Sequence, residues 1–348
     1  LGDALAQNPT CFSLWIGVND VLEYARCGGC GMDQTNNPDP RTYGFGDISD
    51  PNVVAGAVDA ILDQLTTAGA EGVVANIPDL VDLPVFTALP FAPLDPTNPA
   101  FGPLIPALNE QFSQLNQVFE FLGVPERSIV FKTDAASALV ISDESLADLS
   151  AEITATLIGS GVDVPTATIL GLTYGQARQA NENDRILLGS SLGGVTTDII
   201  AAQNEEYFAF LRSQGVPAET AAQLSINGIT YPLEDQWVLI PAEQTAIRTA
   251  TSAYNASIQG LVQRYDLPLV DMNALFTQII TEGIPLSDGS MVTGEYAVGG
   301  GFSLDGGNLT PRGSALAANA FIEAIEEKYE AMLTKIDPLD YTGVYICL

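Results

Sequence analysis

The chain has 348 residues, 47% of them hydrophobic, and a mean hydropathy of +0.20, which together predict a folded protein with a sizeable core. Its 43 acidic residues against 12 basic ones give a net charge of −31, which argues against nucleic-acid and anionic-lipid binding because both need a basic surface. No apolar run reaches the roughly 18 residues that cross a bilayer, so no membrane span is expected. The acidic, lysine-poor composition suits a saline habitat, and it suits an exported bacterial protein equally well.

The first part of the chain predicts a strand, a helix and a second strand. Residues 11–16 form a short apolar run that ends before a glycine, which is typical of a buried parallel strand. A loop rich in Gly, Asn, Asp and Pro follows over 26–52, and apolar residues then recur at helical spacing over 53–65. Residues 72–78 form the next apolar run. This order predicts a βαβ unit with two parallel strands.

The remaining elements predict one α/β domain, 1–348, interrupted by a loop-rich and helical insertion or cap region at 80–240. Thr310 and Pro311 have the residue types of a helix N-cap and first helical position, so a last helix is expected to begin there. Further helices are expected at 107–122, 143–159, 196–213, 217–224 and 245–265, with strands at 128–132 and 267–272.

The four cysteines, Cys11, Cys27, Cys30 and Cys347, allow three interpretations. The pair Cys27-Gly-Gly-Cys30 has the spacing of a redox motif or a zinc knuckle. A structural disulfide, free thiols, and metal or redox chemistry are the alternatives. The chain contains no histidine, so no catalytic transition metal and no cofactor are expected. Calcium on the carboxylates of the loop 26–52 is conceivable, although their spacing is not that of an EF-hand.

Residues 15–20, Trp-Ile-Gly-Val-Asn-Asp, are the first candidate site. They follow a predicted parallel strand, and in open α/β sheets the carboxyl ends of the strands face the ligand crevice. The side-chain amide of Asn19 could there donate a hydrogen bond to a developing oxyanion. The alternative is that Asn19 and Asp20 simply cap the helix that follows.

Residues 302–313, Phe-Ser-Leu-Asp-Gly-Gly-Asn-Leu-Thr-Pro-Arg-Gly, are the second candidate site. An Asp three residues before a His can hold the imidazole in one tautomer while the imidazole activates a serine. Here Asp305 is present, but the residue three positions later is Asn308. An amide has no titratable proton near neutral pH, so Asn308 cannot act as a general base. The alternative is a plain turn rich in Asp, Gly and Asn.

Together and in this order, the two stretches resemble blocks three and five of the SGNH (GDSL) hydrolase family. The segments 12–20, 230–239 and 302–328 look like a branch of that family found in Bacteroidetes-type bacteria, and the likeness covers nearly the whole chain. The resemblance implies an exported hydrolase of carboxylic esters. It also implies a flavodoxin-like three-layer α/β sandwich with a mostly parallel sheet and a large helical insertion.

Residue by residue, the resemblance implies that Asn19 is an oxyanion-hole donor, that Asp305 orients the catalytic His, and that Asn308 occupies the His position. The proline that usually follows the His is Leu309 here. In the family, the Gly-Asp-Ser-Leu block that carries the nucleophile lies before block three, and no such block is found there in this sequence. The block that supplies a glycine N–H to the oxyanion hole is not found either.

Two serine motifs of the chain do not fit the role of the nucleophile. Residues 46–49, Gly-Asp-Ile-Ser, fall after block three in a loop rich in Gly and Pro, and are interpreted as a chance match. Residues 189–193, Gly-Ser-Ser-Leu-Gly, match the Gly-x-Ser-x-Gly elbow, but that elbow needs a His downstream. Ser191 is therefore expected to belong to a loop near the substrate crevice.

In the flavodoxin-like strand order 2-1-3-4-5, a first strand would lie beside residues 11–16. The chain is thus expected to lack its first strands and to expose an apolar sheet edge, which an upstream segment or a neighbouring chain would fill. Two functions follow. The first is an ester hydrolase scaffold that is inactive or incomplete as it stands, with an ester substrate if it is active. The second is a non-catalytic, exported surface, binding or filament-forming protein of a bacterium.

Overall fold

The computed structural model describes residues 1–190 and 195–344, and it has a mixed α/β architecture with 47% helix. The chain forms two compact units. The first comprises Leu1–Ala88 and Glu243–Leu348, and the second comprises Leu89–Ala242.

The helices of the described residues are α1 Gly2–Leu5, α2 Asn19–Arg26, α3 Pro51–Thr67, α4 Pro84–Thr87, α5 Ile105–Phe121, α6 Ser150–Gly159, α7 Val164–Tyr174, α8 Thr196–Ile199, α9 Glu205–Ser213, α10 Ala218–Leu224, α11 Pro241–Arg264, α12 Met272–Thr281 and α13 Pro311–Tyr329. The strands are β1 Cys11–Leu14, β2 Glu71–Ala75, β3 Val140–Ser142, β4 Ala177–Gln179, β5 Arg185–Ile186, β6 Val238–Leu239, β7 Leu269–Val270, β8 Ile284–Pro285 and β9 Met291–Val292.

The first unit is built on a three-stranded parallel sheet with the order β1-β2-β7. The predicted βαβ unit is confirmed, since β1 and β2 pair in parallel with α2 and α3 between them. Helix α13 contacts β2 and β7, and the Tyr329 hydroxyl near its end donates to the Gly72 carbonyl at 2.7 Å. The predicted cap of α13 is also confirmed, because the Thr310 hydroxyl accepts from the Gly313 N–H at 2.9 Å.

The second unit is helical around two-stranded antiparallel sheets, β3 with β4 and β5 with β6. Its core is a large cluster of buried apolar side chains from α5, α6, α7 and the segments between them. The guanidinium of Arg127 is 3% exposed and donates to the carbonyls of Ala147, Tyr174, Gly175 and Ala177. A buried cation therefore joins several backbone turns of this unit without a carboxylate partner in the described part of the chain.

The strand predicted at 128–132 is wrong, although two of its residues, Ile129 and Phe131, are buried. Ile129 and Phe131 are almost fully buried, but their backbone groups bond to side chains of α5. Asn116 accepts from the Ile129 N–H at 2.8 Å and donates to its carbonyl, and Asn109 does the same for Phe131 at 2.9 Å. Two side-chain amides thus replace a neighbouring strand, a pairing that the apolar pattern of 128–132 does not encode.

Three other predictions need correction. The run 11–16 is a parallel strand only over Cys11–Leu14, and it alternates between exposed and half-buried residues because it is an edge strand. The helix predicted at 143–159 begins only at Ser150. The helix predicted at 196–213 is divided into α8 and α9, with Ala201 at φ +62° between them and Asn204 capping α9.

Candidate functional site

A cavity of about 390 Å³ in the first unit brings together both candidate stretches of the sequence. Trp15 and Val18 come from the segment after β1, and Asp305 and Asn308 come from the loop before α13. The rest of its wall is mostly apolar, from Leu22, Pro78, Leu80, Leu83, Val85, Phe276 and Leu309. A concave apolar wall with a few polar groups is the usual form of a small-molecule site.

Aromatic side chains form one side of this cavity. The ring of Phe276 lies edge-on to Trp15, with centroids 6.1 Å apart, and edge-on to Phe302 at 5.4 Å. Trp15 also contacts Phe321 of α13 at 6.3 Å. Trp15 is 36% exposed, whereas Phe276 is 4% exposed. The indole is thus held by two helices while part of it stays accessible to a ligand.

The loop before α13 is organised around the Asp305 carboxylate. Its Oδ1 accepts from the Ser303 hydroxyl at 2.7 Å and from the N–H groups of Gly307 and Asn308 at 2.9 Å each. Its Oδ2 accepts from Nδ2 of Asn308 at 2.6 Å. The Asp-x-x-Asn spacing therefore brings the two side chains into direct contact, in the arrangement that an Asp–His pair would use.

The electrostatics of Asp305 favour its ionised form. Partial burial raises the pKa of this carboxyl, but the hydrogen bonds from Ser303, Asn308 and the backbone of Gly307 outweigh burial and hold the pKa below its ordinary value of 3.8. Asp305 is thus a carboxylate at neutral pH. It can hold a neighbouring N–H donor in place, but it offers no proton for general acid catalysis.

Asn19 is the first residue of α2 and is exposed. The N-cap of α2 is Val18, and no side chain caps this helix, so the interpretation of Asn19 as a capping residue is wrong. Asn19 does not line the cavity, whereas its neighbour Val18 does. The structure thus brings together Asp305 and Asn308, and it places Asn19 one residue from the wall of their cavity.

Arg26, the last residue of α2, also lines the cavity, and no motif in the sequence indicates it. Within residues 1–190 and 195–344 its side chain makes no hydrogen bond and no ion pair. The helix dipole favours a cation near a helix C-terminus, so the position of Arg26 at the end of α2 can be explained without a bound ligand. The only sequence signal was its spacing of four residues from Leu22, which puts both on one face of α2.

The Cys27–Cys30 pair forms a disulfide with a Cα–Cα distance of 5.5 Å, which decides between the three interpretations. Cys11 is a free, exposed thiol, and Cys347 lies outside the described residues. Gly46 has φ +78°, and a Cβ there would lie 2.9 Å from each disulfide sulfur. The glycine of the 46–49 motif is therefore needed for close approach to the disulfide, which is a structural reason for it.

The carboxylates of the loop 26–52 are used by the loop itself. Asp47 accepts from the N–H groups of Met32 at 2.9 Å and Gly44 at 2.8 Å, and from Nε2 of Gln34 at 2.5 Å. Asp50 caps α3 and also accepts from the Asn36 N–H at 2.7 Å. The carboxylates of Asp47 and Asp50 thus accept hydrogen bonds that stabilise the loop conformation. Ser191, the serine of the Gly-x-Ser-x-Gly motif, lies outside the described residues.

Comparison with known proteins gives no relative: no family model, no curated protein and no solved structure matches the chain. Among the helices of the described residues, none combines the length and the apolar character that crossing a membrane requires. The site therefore has to be interpreted from its own geometry and chemistry.

Proposed function

We propose that the chain is a scaffold of the SGNH (GDSL) ester hydrolase type, with a flavodoxin-like architecture, that does not perform the triad reaction as it stands. The observation that carries this proposal is the 2.6 Å hydrogen bond from Asn308 Nδ2 to Asp305 Oδ2. In a Ser-His-Asp triad the imidazole Nδ1–H donates to the Asp in the same way. Asn308 thus fills the place of the His as a hydrogen-bond donor.

Asn308 cannot fill the chemical role of that His. The triad needs a second nitrogen that removes the proton from the serine and later returns it to the leaving group, and an amide nitrogen has no such capacity. Loss of a triad member leaves at most about 10³–10⁴-fold acceleration over water, from the oxyanion hole and from binding. The cavity is thus proposed to bind an ester without turning it over at an enzymatic rate.

Hydrolysis of a short p-nitrophenyl ester, with and without a serine-reactive phosphonate, tests this proposal. We expect no phosphonate-sensitive turnover in the chain, and none in Asn308→His, because restoring the base does not supply the serine block. Asn308→Ala serves as the matched control for any change in the loop. Phosphonate-sensitive turnover in the unaltered chain would refute the proposal, since it requires a serine and a base acting together.

A second candidate function is ligand binding without catalysis, and the composition of the cavity favours it. Most of its wall is apolar, while Asp305 is already engaged by four hydrogen-bond donors. Trp15 is one of only two tryptophans, so its fluorescence reports on the cavity. A saturable fluorescence change with a dialkyl ether, a non-hydrolysable analogue of an ester, would support this function if the change is absent in Trp15→Phe. No change in the unaltered chain would count against it.

The edge of the parallel sheet is part of the same proposal. Within the described residues β1 pairs only with β2, and Trp15 and Ile16 just beyond it are 36% and 37% exposed. We propose that an upstream segment or a neighbouring chain adds a strand beside β1, because unpaired apolar edges attract other strands. Intact mass and N-terminal sequencing of the purified material test this. A 36.6 kDa monomer that stays in solution with no second polypeptide would contradict it.

We also propose that the protein is exported by a bacterium. The Cys27–Cys30 disulfide supports this, because structural disulfides persist in oxidising compartments and are rare in the cytosol. The acidic surface that follows from a net charge of −31 would keep the exported chain soluble. Cell fractionation with an antibody against the chain is the test, and recovery in the cytosolic fraction alone would contradict the proposal.

A further inference from the structure

A second hollow, of about 400 Å³, lies in the second unit, and none of its lining residues belongs to the candidate sites 15–20 and 302–313. Three aromatic rings line it, those of Tyr207, Phe210 and Tyr231, together with the Leu172 side chain. Tyr207 and Phe210 stand three residues apart on α9, so they lie on one face of that helix. Tyr231 comes from the segment after α10.

The Tyr207 ring contacts each of the other two rings. It stacks on Tyr231 with centroids 4.2 Å apart and planes 24° apart, and it stacks on Phe210 at 5.9 Å and 28°. The Tyr207 hydroxyl is shared with Thr173 at 2.5 Å, which fixes the orientation of the ring. Phe210 is 40% exposed and Leu172 is 65% exposed. An aromatic and aliphatic surface thus remains open to solvent.

The charge around this surface is negative. The Glu234 carboxylate supplies this charge, because burial and neighbouring acids raise the pKa of Asp235, which also lines the hollow, to about 7 and leave it only partly ionised at neutral pH. None of the nine lining residues is Lys or Arg. Among the described residues, the Glu234 carboxylate accepts from three neutral groups: Asn204 Nδ2 at 3.1 Å, Gln236 Nε2 at 3.0 Å and the Tyr231 hydroxyl at 3.4 Å. These donors orient the carboxylate and leave its charge uncompensated.

The electrostatics of Tyr231 show the same excess of negative charge. Burial and the Glu234 carboxylate, with Glu206 adding to them, raise the pKa of the Tyr231 hydroxyl to about 12. The phenol therefore stays neutral at physiological pH, and its ring keeps the electron-rich face that attracts cations. Arg178, a cation of the same unit, is already held by Asp143 at 2.5 Å and Asp184 at 2.7 Å.

We infer that this hollow binds a small organic cation of the quaternary ammonium class, with its methyl groups against the aromatic rings and its charge towards Glu234. A ring face within about 6 Å attracts such a cation, and desolvation strengthens the attraction. Glu234 itself is a poor ligand for a metal ion, because its oxygens already accept three hydrogen bonds. A neutral ligand would leave the negative charge without a partner.

Calorimetric titration of the whole chain with choline tests the inference, with 3,3-dimethylbutan-1-ol as the matched neutral ligand. This alcohol has the same shape as choline but carries a carbon in place of the charged nitrogen. We expect saturable choline binding that is roughly tenfold or more tighter than binding of the alcohol. Equal affinities, or no saturable binding of choline at low ionic strength, would overturn the inference.

Variants separate this hollow from the general attraction of cations to an acidic surface. Glu234→Gln removes the charge and Phe210→Ala removes an exposed ring, and each is expected to weaken choline binding roughly fivefold to tenfold. Glu110→Gln on α5 removes an exposed carboxylate that does not line the hollow, so choline affinity should be unchanged. If all three variants bind choline equally, the site lies elsewhere and the inference is wrong. Circular dichroism of each variant confirms that it is folded.

Discussion

Truncation of Phe276 is the most direct test of the cavity beside Asp305. Phe276 is 4% exposed, lines the cavity, and makes edge-to-face contacts with Trp15 and Phe302. Replacing a buried Phe by Ala generally costs about 3–5 kcal/mol. Since one side of this ring faces existing empty space, fewer packing contacts are lost, and we expect a cost near the lower end of that range for Phe276→Ala. The same change enlarges the cavity.

Phe302→Ala is the matched control. Phe302 is 3% exposed and packs edge-on to Phe276 with ring centroids 5.4 Å apart, but it does not line the cavity. We expect Phe302→Ala to lose at least as much unfolding free energy as Phe276→Ala, because Phe302 does not face the cavity. Urea denaturation followed by tryptophan fluorescence measures this loss, and the fluorescence of Trp15 also measures binding of dialkyl ethers of increasing chain length. Only Phe276→Ala is expected to shift the preferred chain length upward, because only it extends the cavity.

Two outcomes would refute this reasoning. Suppose that Phe276→Ala and Phe302→Ala are both destabilised, and that both prefer ethers of the same chain length as the unaltered chain does. The ligand then does not occupy the cavity beside Phe276. If Phe276→Ala loses well under about 1 kcal/mol, the ring is not packed as described. A milder variant, Phe276→Leu, keeps the test decisive if truncation to Ala prevents folding.

Three further predictions concern stability. Gly46→Ala should cost about 1–3 kcal/mol of unfolding free energy. This cost should exceed that of Gly69→Ala, because both glycines have positive φ but only at Gly46 would a Cβ contact the disulfide sulfurs. Chemical denaturation of both variants measures the difference. The Cys27–Cys30 disulfide closes only a short loop, so its reduction should cost only roughly 2 kcal/mol, and a complete loss of folding in reducing buffer would contradict a merely local role. Burial, with neighbouring acidic side chains, raises the pKa of Asp235 to about 7, so its ionisation opposes folding as the pH rises from about 4 towards 7. Asp235→Asn should therefore raise the melting temperature at pH 8 and change it little at pH 5. An equal effect at both pH values would contradict this.

The sequence was informative where one periodicity dominates a segment. Helices α3, α5 and α13 follow from apolar residues at helical spacing, and Thr310 with Pro311 marks the start of α13. The pairing of β1 with β2 follows from the order strand, helix, strand. The sequence was misleading at 128–132. There the N–H groups of two buried residues bond to side chains of the preceding helix α5, and such partners leave no pattern within the segment itself.

The candidate site was predictable only in part. The Asp305–Asn308 contact follows from a spacing of three residues within one loop, so the sequence could indicate it. The position of Arg26 at the cavity depends on how α2 packs, and the helix dipole favours a basic residue at a helix end whether or not a ligand binds there. The role of Asn19 rests on a resemblance. Asn19 does not line the cavity, whereas the preceding residue, Val18, does.

The geometry around Asp305 explains how a loop of this kind could keep its shape without a histidine. Three of its four hydrogen bonds come from Ser303 and from backbone N–H groups, which any residue at position 308 would partly preserve. Gly306 has φ +72°, and a Cβ there would lie 2.5 Å from the Val85 nitrogen, so close packing also fixes the loop. Asn308 adds the fourth hydrogen bond, as an imidazole would. We therefore expect Asn308→His to change the proton chemistry of the loop while its other three hydrogen bonds to Asp305 are kept.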